Sequence, residues 1–332
     1  MRALSLPLDL LAWLGRQGTR AVAISALLGL VLPQLSALFR PLVEEAIFVL
    51  LVLAFLRVDP VAVVAHMRRP RLVALALSWM LIAVPVMVGL ALHATGLIAL
   101  HPDIALAAFI ATAAPPIMAA PAFIALIGLD GALSLALVGG GMLLTPLAAP
   151  LIGAFLIGEV LPIDAVALGI RLTALLAASA GLATLIRRLA GSARVSAAKE
   201  HVDGLNVLIL FVFAVAVMDG VAARFLETPL FTLGIAALTF LVALTQMGVT
   251  LLVFARTRRD HAFVLAHAAG NRNMGLLVAA LGGTLPDLAW LYFGLGQLPI
   301  YLLPWLLKPV ATRLAANQAS RDAGHADAGK SG

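Results

Sequence analysis

The chain has 332 residues, of which 63% are hydrophobic and only 11% charged, and its mean hydropathy is +1.09. A water-soluble domain carries about a quarter of its residues as charges, so this composition excludes one and favours a chain embedded in lipid. The absence of cysteine excludes disulfides, thiolate metal sites and thiol nucleophiles.

The N-terminal segment, residues 1–20, is predicted to be an interfacial helix that leads into the membrane. Its apolar stretch from Leu4 to Leu14 is followed by Arg16 and Arg20. A cleaved signal peptide carries its positive charge before the apolar region, so this order argues against one.

Long apolar runs joined by short polar connections predict an all-α membrane protein with ten transmembrane helices. A span takes roughly 20 mostly apolar residues, whereas barrel strands alternate over roughly 10, which these runs do not. The predicted spans are 21–39, 41–56, 72–93, 104–126, 132–157, 164–186, 203–222, 230–255, 261–283 and 287–307.

The cationic residues fall almost entirely on one predicted side of the membrane. With the N-terminus inside and alternating spans, 18 of the 22 Lys and Arg residues are cytoplasmic, and only Arg40 and Arg224 are outside. Arg171 and Arg272 fall within spans. This asymmetry predicts a multi-pass protein of the cytoplasmic (inner) membrane with both termini cytoplasmic. It also accounts for the net charge of +6 without a nucleic-acid partner.

The fourth span contains Pro115, Pro116 and Pro121. Each proline lacks a backbone N–H and clashes with the preceding turn, so two adjacent prolines interrupt a helix. About 11 residues precede this break, which at about 1.5 Å per residue reaches roughly the midplane of the bilayer.

The ninth span is interrupted by Gly270-Asn271-Arg272-Asn273, again about 10 residues from its start. Glycine and asparagine are poor helix formers, and a charge at this depth costs at least ~2.5 kcal/mol unless it faces a cavity or a partner. We predict that the four residues bind substrate. The structural alternative is that Arg272 is a packed residue paired with a carboxylate, for which the candidates are Glu44, Glu45 and Asp219.

Because the two interrupted spans are five apart, they run in opposite directions. This predicts two five-helix repeats of inverted topology, 21–157 and 158–310, followed by a disordered cytoplasmic tail, 311–332. Interrupted helices at matching positions of two halves point to the binding site of a secondary transporter.

Two stretches resemble the bile acid:sodium symporter family, and the resemblance extends from the first span to about Lys308. In the first stretch, which runs from Pro115 to Pro146, the matching residues are Asp130, Ala132, Leu133, Ser134, Leu143, Leu144 and Pro146. In the ninth span they are Gly270 and Asn273. The resemblance implies a panel and a core domain, with the broken fourth and ninth spans crossing in the core. It also implies uptake of an organic anion coupled to sodium.

The sequence departs from the family where sodium ligands are expected. The family's Ser-Asn pair falls on Ala120 and Pro121, its Glu on Ala268 and its Gln on Arg272. Sodium needs hard oxygen ligands, which these side chains do not offer, so we predict no metal site and no cofactor. The permanent charge of Arg272 would stand about where the ion sits and would help bind an anion directly through its donor fork.

Four further residues have predicted roles that are less specific. His267 precedes the break by about one turn and could couple transport to protons, or it is a neutral buried histidine bonded to a backbone carbonyl. Gln297 is a candidate for the substrate path. Glu44 and Glu45 lie about 100° apart on a helix, so both cannot face one narrow cavity, and one is expected near the interface.

The sequence thus predicts a secondary transporter of a small organic anion, with the lipid bilayer as its other partner. Alternatives are a symporter coupled to sodium through backbone ligands or to protons through His267, and an auxin-type efflux carrier. A channel or sensor is less favoured because there is no repeated pore segment or output domain. No acidic cluster, His-Glu-x-x-His or Gly-x-Ser-x-Gly motif indicates an enzyme. Substrate identity, direction and oligomeric state stay open.

Overall fold

The structure is a computed structural model that describes residues 31–57, 70–160, 164–282 and 285–328, together with Trp13 and Gly29. Within these ranges every regular element is a helix, which confirms the all-helical fold class. One isolated β-type bridge joins Pro116 to Arg272. The predicted interfacial helix, 1–20, lies outside the described residues apart from Trp13, and so does most of the first predicted span.

The helices begin at the signals that the sequence provides. Asp130 caps the helix Gly131–Leu156 by accepting a hydrogen bond from the Leu133 N–H (2.9 Å), and Asp164 caps the helix Ala165–Ala190 in the same way. A 3₁₀ turn, Arg40–Leu42, precedes the helix Val43–Arg57, and a π-helical segment, Trp79–Ala83, follows the helix Pro70–Ser78. The α-helices are α1 (Pro33–Phe39), α2 (Val43–Arg57), α3 (Pro70–Ser78), α4 (Val84–Ala94), α5 (Leu97–Leu100), α6 (Pro102–Ala113), α7 (Ala120–Leu126), α8 (Gly131–Leu156), α9 (Ala165–Ala190), α10 (Ser192–Ala197), α11 (Lys199–Ala216), α12 (Val221–Glu227), α13 (Pro229–Val253), α14 (Arg259–Gly270), α15 (Met274–Ala280), α16 (Asp287–Leu295) and α17 (Gln297–Ala328).

Six helical stretches in the described part of the chain are long and apolar enough to cross a membrane. They coincide with six of the ten predicted spans and are Pro70–Ala94, Gly131–Leu156, Ala165–Ala190, Lys199–Glu227, Pro229–Val253 and Asp287–Ala316. A multi-pass membrane protein follows from these six helices.

The other four predicted spans are not among these six helices. The first lies mostly outside the described residues. The second corresponds to α2, which is 15 residues long. The fourth and ninth are each divided into two shorter helices, α6 with α7 and α14 with α15.

Residues 311–328 differ from the prediction of a disordered tail at 311–332, whose last four residues lie outside the described part of the chain. The last helix, α17, continues through them to Ala328 even though Pro304 and Pro309 lie inside it. Ala311 is fully buried against the apolar cluster that contains Leu265, so the helix is anchored by packing for at least that far.

The helices pack in two groups. In the four-helix group (α1, α2, α9 and α11), α2 packs against α9 and α11, and α1 packs against α11. In the crossing group (α3, α4, α6–α8 and α13–α17), α13 packs against α14, α16 and α17, and α8 packs against α3, α4, α6, α7 and α14. The two groups also contact each other, above all through the packing of α8 against α9.

The two groups share apolar packing at one end of the molecule and not at the other. One cluster joins Ile47, Leu168 and Phe213 of the four-helix group to Leu276 and Phe293 of the crossing group. At the opposite end the buried residues form separate clusters. One contains Leu53, Leu56 and Ala183 of the four-helix group, and the other contains Leu77, Ile124 and Phe263 of the crossing group.

Charged contacts lie at both ends of the molecule, and one set is at the end where the packing is shared. The Arg40 guanidinium donates to Asp219 at 2.8 Å and lies 4.6 Å from the centre of the Trp290 ring. Trp290 Nε1 donates to the Asp219 carbonyl at 3.1 Å. At the other end, Arg57 pairs with Asp203 at 3.0 Å. Asp219 is therefore a partner of Arg40 and not of Arg272.

Candidate functional site

The two helix breaks lie against each other in the crossing group. The Ile117 N–H donates to the Asn271 carbonyl (2.9 Å), and the Asn273 N–H donates to the Pro115 carbonyl (2.7 Å). The helices are interrupted at Pro115 and Pro116 and at residues 271–273, where the sequence predicts breaks. Pro121 differs from the prediction. It is the second residue of α7, where a missing N–H breaks no helical hydrogen bond.

Arg272 is at the centre of this crossing and only 2% exposed. Its Nε donates to the Ala269 carbonyl at 2.6 Å, its Nη1 to the Ala114 carbonyl at 3.0 Å and its Nη2 to the Met80 carbonyl at 3.1 Å. One guanidinium thus contacts three different interrupted helices.

Each of these carbonyls lacks its usual helical donor. The donor for Ala269 would be the Asn273 N–H, which instead donates to Pro115 across the crossing. Ala114 follows the last residue of α6 and precedes two prolines. Arg272 satisfies both carbonyls at the carbonyl ends of half-helices, where the helix dipole favours a cation.

The Met80 carbonyl lies in the π-helical segment. There the Val84 N–H donates to the Trp79 carbonyl, one residue further back than in an α-helix. The matching donor for Met80 would be residue 85, which is proline and has no N–H. Arg272 therefore fills a vacancy that Pro85 creates, and a buried carbonyl without a partner would be costly.

No described carboxylate pairs with Arg272. The alternative that it forms an ion pair with Glu44, Glu45 or Asp219 is wrong in this structure, because its Nε, Nη1 and Nη2 all donate to backbone carbonyls. Glu44 and Glu45 are both exposed in the first turn of α2, where the helix dipole stabilises negatively charged side chains.

The neighbours of Arg272 in the predicted tetrad have separate roles. Asn271 is fully buried, and its Nδ2 donates to the His267 carbonyl (3.0 Å). Asn273 is half-buried. A Cβ on Gly270 would lie 2.8 Å from the Ala243 carbonyl oxygen and would overlap Met247, so this glycine permits the close contact of α13 with α14.

A cavity of about 20 Å³ adjoins Arg272 on the side of α13 and α16, with space for about one water molecule. Thr239, Gln246 and Tyr292 line it together with Gly270. Gln297 is buried but donates to the Phe293 carbonyl of the preceding turn (3.2 Å), and it does not line this cavity.

His267 is 1% exposed and packs between aromatic rings. Its ring stacks on Phe123 at 5.0 Å between centroids and lies 6.5 Å from that of Phe263. Neither ring nitrogen has a hydrogen-bond partner among the described residues, so the predicted bond to a backbone carbonyl is wrong.

We expect His267→Phe to melt at or above the temperature of the wild type, because it removes two buried polar nitrogens while keeping the stacked ring. Phe123→Ala, the control, deletes the stacking partner and should destabilise by about 3 kcal/mol. Thermal unfolding in detergent measures both. A large loss for His267→Phe would mean that its nitrogens have a polar role.

Sequence reasoning did not identify the Met80 carbonyl as part of the site. The available signal was Pro85 within the third predicted span, since a proline leaves a carbonyl one turn earlier without a donor. Gly141 permits the close contact of α8 with the helix break, because a Cβ at this position would lie 2.7 Å from Pro116 Cδ.

Gly141→Ala is expected to destabilise the protein by about 1–2 kcal/mol, because α8 would press on the rigid proline ring of the helix break. Gly140→Ala should cost less, since its Cβ meets only the end of the flexible Leu77 side chain. Gly181→Ala, with nothing within 4 Å, is the control and should be neutral or slightly stabilising. Equal melting temperatures for all three variants would contradict the close packing.

No protein-family model matches this chain, and no curated protein matches it. The resemblance to the symporter family therefore rests on the motifs quoted above and on no whole-chain match.

Proposed function

We propose that the protein is a secondary transporter that moves a small organic anion across the cytoplasmic membrane by alternating access, without a requirement for sodium. The observation that carries the proposal is the buried, permanently charged Arg272 at the crossing of two broken helices. Irregular backbone at membrane depth is tolerated only inside protein or beside a cavity, and crossed breaks of this kind form transporter binding sites.

Ten spans in two inverted repeats are part of this proposal. Contacts between residues that are distant in the chain support this arrangement. Arg40, Asp219 and Trp290 belong to three segments that the alternation of spans assigns to the outer side, and they contact one another. His261 and Asp130 belong to segments assigned to the inner side, and they lie 3.6 Å apart.

Independence from sodium follows from the ligands around Arg272. Three backbone carbonyls converge on the guanidinium, and carbonyl oxygens are the ligands that hard cations prefer. A sodium ion at the same carbonyls would be repelled by the charge already present. Ala120 and Ala268, where the family has side-chain ligands, supply no oxygen.

The positive charge of Arg272 favours an anionic substrate. Backbone carbonyl dipoles stabilise this charge, and no described carboxylate neutralises it. Met118, Ala119 and Asn273 form the partly exposed side of the same breaks. We propose that the substrate binds on this side, close enough to feel the buried charge. The guanidinium attracts the anion mainly through its electrostatic field. It does not bind the anion with free N–H groups.

Alternating access requires two bodies that separate at one membrane face at a time. The four-helix group and the crossing group share an apolar cluster at the proposed outer end and have separate clusters at the inner end. This arrangement fits a carrier that is closed to the outside and able to open inwards.

The test is counterflow in proteoliposomes. Vesicles are loaded with an unlabelled anion that raises the melting temperature of the protein, and the same labelled anion is added outside. A carrier accumulates label transiently with sodium or potassium alike. A channel gives no such accumulation, and uptake only in sodium would refute the proposed independence.

Proton coupling is the second candidate, and the buried, unpartnered His267 favours it. It predicts counterflow that persists without a proton gradient and net uptake that needs one. Net uptake by His267→Phe should then lose its dependence on the gradient. Unchanged dependence would remove His267 from the coupling.

Orientation is directly testable because the chain contains no cysteine. We expect Thr95→Cys, exposed after α4, to react with an impermeant maleimide on intact cells. Ser192→Cys, exposed at the start of α10, should react only after lysis. The reverse pattern would place both termini outside.

A further inference from the structure

A second cavity, of about 310 Å³, lies away from the crossed breaks. It is formed where α2 and α9 end and where α10 and α11 begin, at the proposed cytoplasmic end of the four-helix group. The residues that line it are Leu56, Arg57, Arg187, Ser192, Val195, Ser196, Lys199 and Val202.

The lining combines positive charge with hydroxyl groups. Arg57, Arg187 and Lys199 bring three cations to one cavity, and Ser192 and Ser196 add two hydroxyls. Asp203, which does not line the cavity, pairs with Arg57 at 3.0 Å. The residues that line the cavity include three cations and no carboxylate, so they suit an anion with several oxygens.

Arg187 is held in place at the wall of the cavity. Its Nη2 donates to the Phe55 and Leu56 carbonyls, at 3.1 Å and 2.7 Å, which belong to the last turn of α2. A guanidinium positioned in advance loses less entropy when it binds a phosphate than a mobile side chain would.

The remaining wall is apolar. Leu56, Val195 and Val202 line it, and Leu185 and Leu189 are exposed on the adjoining end of α9, where membrane lipid would surround them. A free inorganic ion would gain nothing from these side chains. A phospholipid can place its phosphate among the cations and lay its acyl chains along the apolar surface.

We propose that this cavity binds a phosphate group at the cytoplasmic interface, and that the occupant is the head group of an anionic phospholipid. The lining residues belong to α2, α9, α10 and α11, so the bound lipid would join the inner ends of the four-helix group. The site is independent of Arg272, and it stands whether or not the protein transports an anion.

The experiment uses the full-length protein in detergent after lipid removal. The probes are dioctanoyl phosphatidylglycerol, dioctanoyl phosphatidylcholine and inorganic phosphate. Native mass spectrometry counts bound molecules, and thermal unfolding gives apparent affinity. We expect one phosphatidylglycerol to bind tightly and stabilise the protein, while the zwitterionic lipid, whose choline is repelled, binds weakly.

Lys199→Gln should weaken the binding of phosphatidylglycerol about tenfold, since it removes one charge-assisted contact. Ser196→Ala, which leaves the charge unchanged, should weaken it about threefold. Arg194→Gln removes an exposed cation of α10 that does not line the cavity and should have no effect.

Equal binding of both lipids would overturn the proposal in favour of apolar binding that does not depend on charge. Equal weakening by Arg194→Gln and Lys199→Gln would overturn it in favour of a diffuse surface charge. Stabilisation by inorganic phosphate that matches the lipid, lost in Lys199→Gln, would keep the phosphate site and refute the lipid as its occupant. No stabilisation by any probe would refute the site altogether.

Discussion

Replacing Arg272 with glutamine is expected to destabilise the protein by roughly 3 kcal/mol or more, the largest effect of any single substitution proposed for this chain. Three buried carbonyls, those of Ala269, Ala114 and Met80, receive their hydrogen bonds from this one guanidinium. A buried acceptor left unpaired costs about 1–3 kcal/mol, and a glutamine amide is too short to reach three helices.

The matched control for this prediction is Arg171→Gln, the same change at the other arginine within a predicted span. Arg171 is exposed on α9, and its replacement should change stability by no more than about 0.5 kcal/mol. Thermal unfolding in detergent compares the two. Similar melting temperatures would show that the carbonyls at the crossing find other donors, and the proposed role of Arg272 would fail.

The vacancy left by a smaller side chain allows a second test of the same role. In Arg272→Ala the three carbonyls would surround an unoccupied position of guanidinium size. Millimolar guanidinium ion should then raise the melting temperature of the variant, whereas the wild type should not respond. Equal responses of the two proteins would indicate a nonspecific effect of the added salt.

Gly270→Ala is expected to destabilise the protein by about 2–3 kcal/mol, although alanine normally favours a helix. The new Cβ would overlap Met247 and lie 2.8 Å from the Ala243 carbonyl oxygen. The methionine side chain can move aside, but the carbonyl belongs to the backbone of α13. The helices α13 and α14 must therefore separate, and α14 carries the break with it.

Gly248→Ala is the control, because it lies on α13 with nothing within 4 Å of the new Cβ. It should be neutral or stabilising by up to about 1 kcal/mol. Thermal unfolding distinguishes the variants, and transport by Gly270→Ala should fall with the displaced crossing. A melting temperature for Gly270→Ala no lower than that of Gly248→Ala would contradict the close helix contact.

The helix breaks were predictable because their cause is local. Pro115 and Pro116 remove two adjacent donors, and the tetrad after Ala269 contains poor helix formers, so both breaks are encoded where they occur. The six long helices were predictable for a similar reason, since each is a run of apolar residues long enough to cross lipid.

The partners of buried polar groups were not predictable, because they depend on packing between distant segments. Met80 and Arg272 are 192 residues apart in the chain, and nothing in either segment specifies the other. The sequence prediction assigned Arg272 a carboxylate or a substrate, whereas the packed helices supply carbonyls. For the same reason the aromatic rings around His267 and the pairing of Asp219 with Arg40 were missed.

The C-terminal residues illustrate a different failure. Their polar composition predicts disorder, yet α17 extends through 311–328. A polar composition indicates that a segment is costly to bury. It does not indicate whether a preceding helix can continue into that segment. Ala311, buried in the crossing group, favours continuation of the helix.

The central claim is that Arg272 replaces a bound cation, and the most direct measurement is the melting temperature of the wild type in sodium and in potassium, with and without a panel of organic anions. A ligand of the folded state at a hundredfold excess over its Kd adds about 2.7 kcal/mol of stability. We expect no shift specific to sodium, and stabilisation by an anion that is equal in both salts. A shift with sodium alone, or an anion effect that requires sodium, would contradict it.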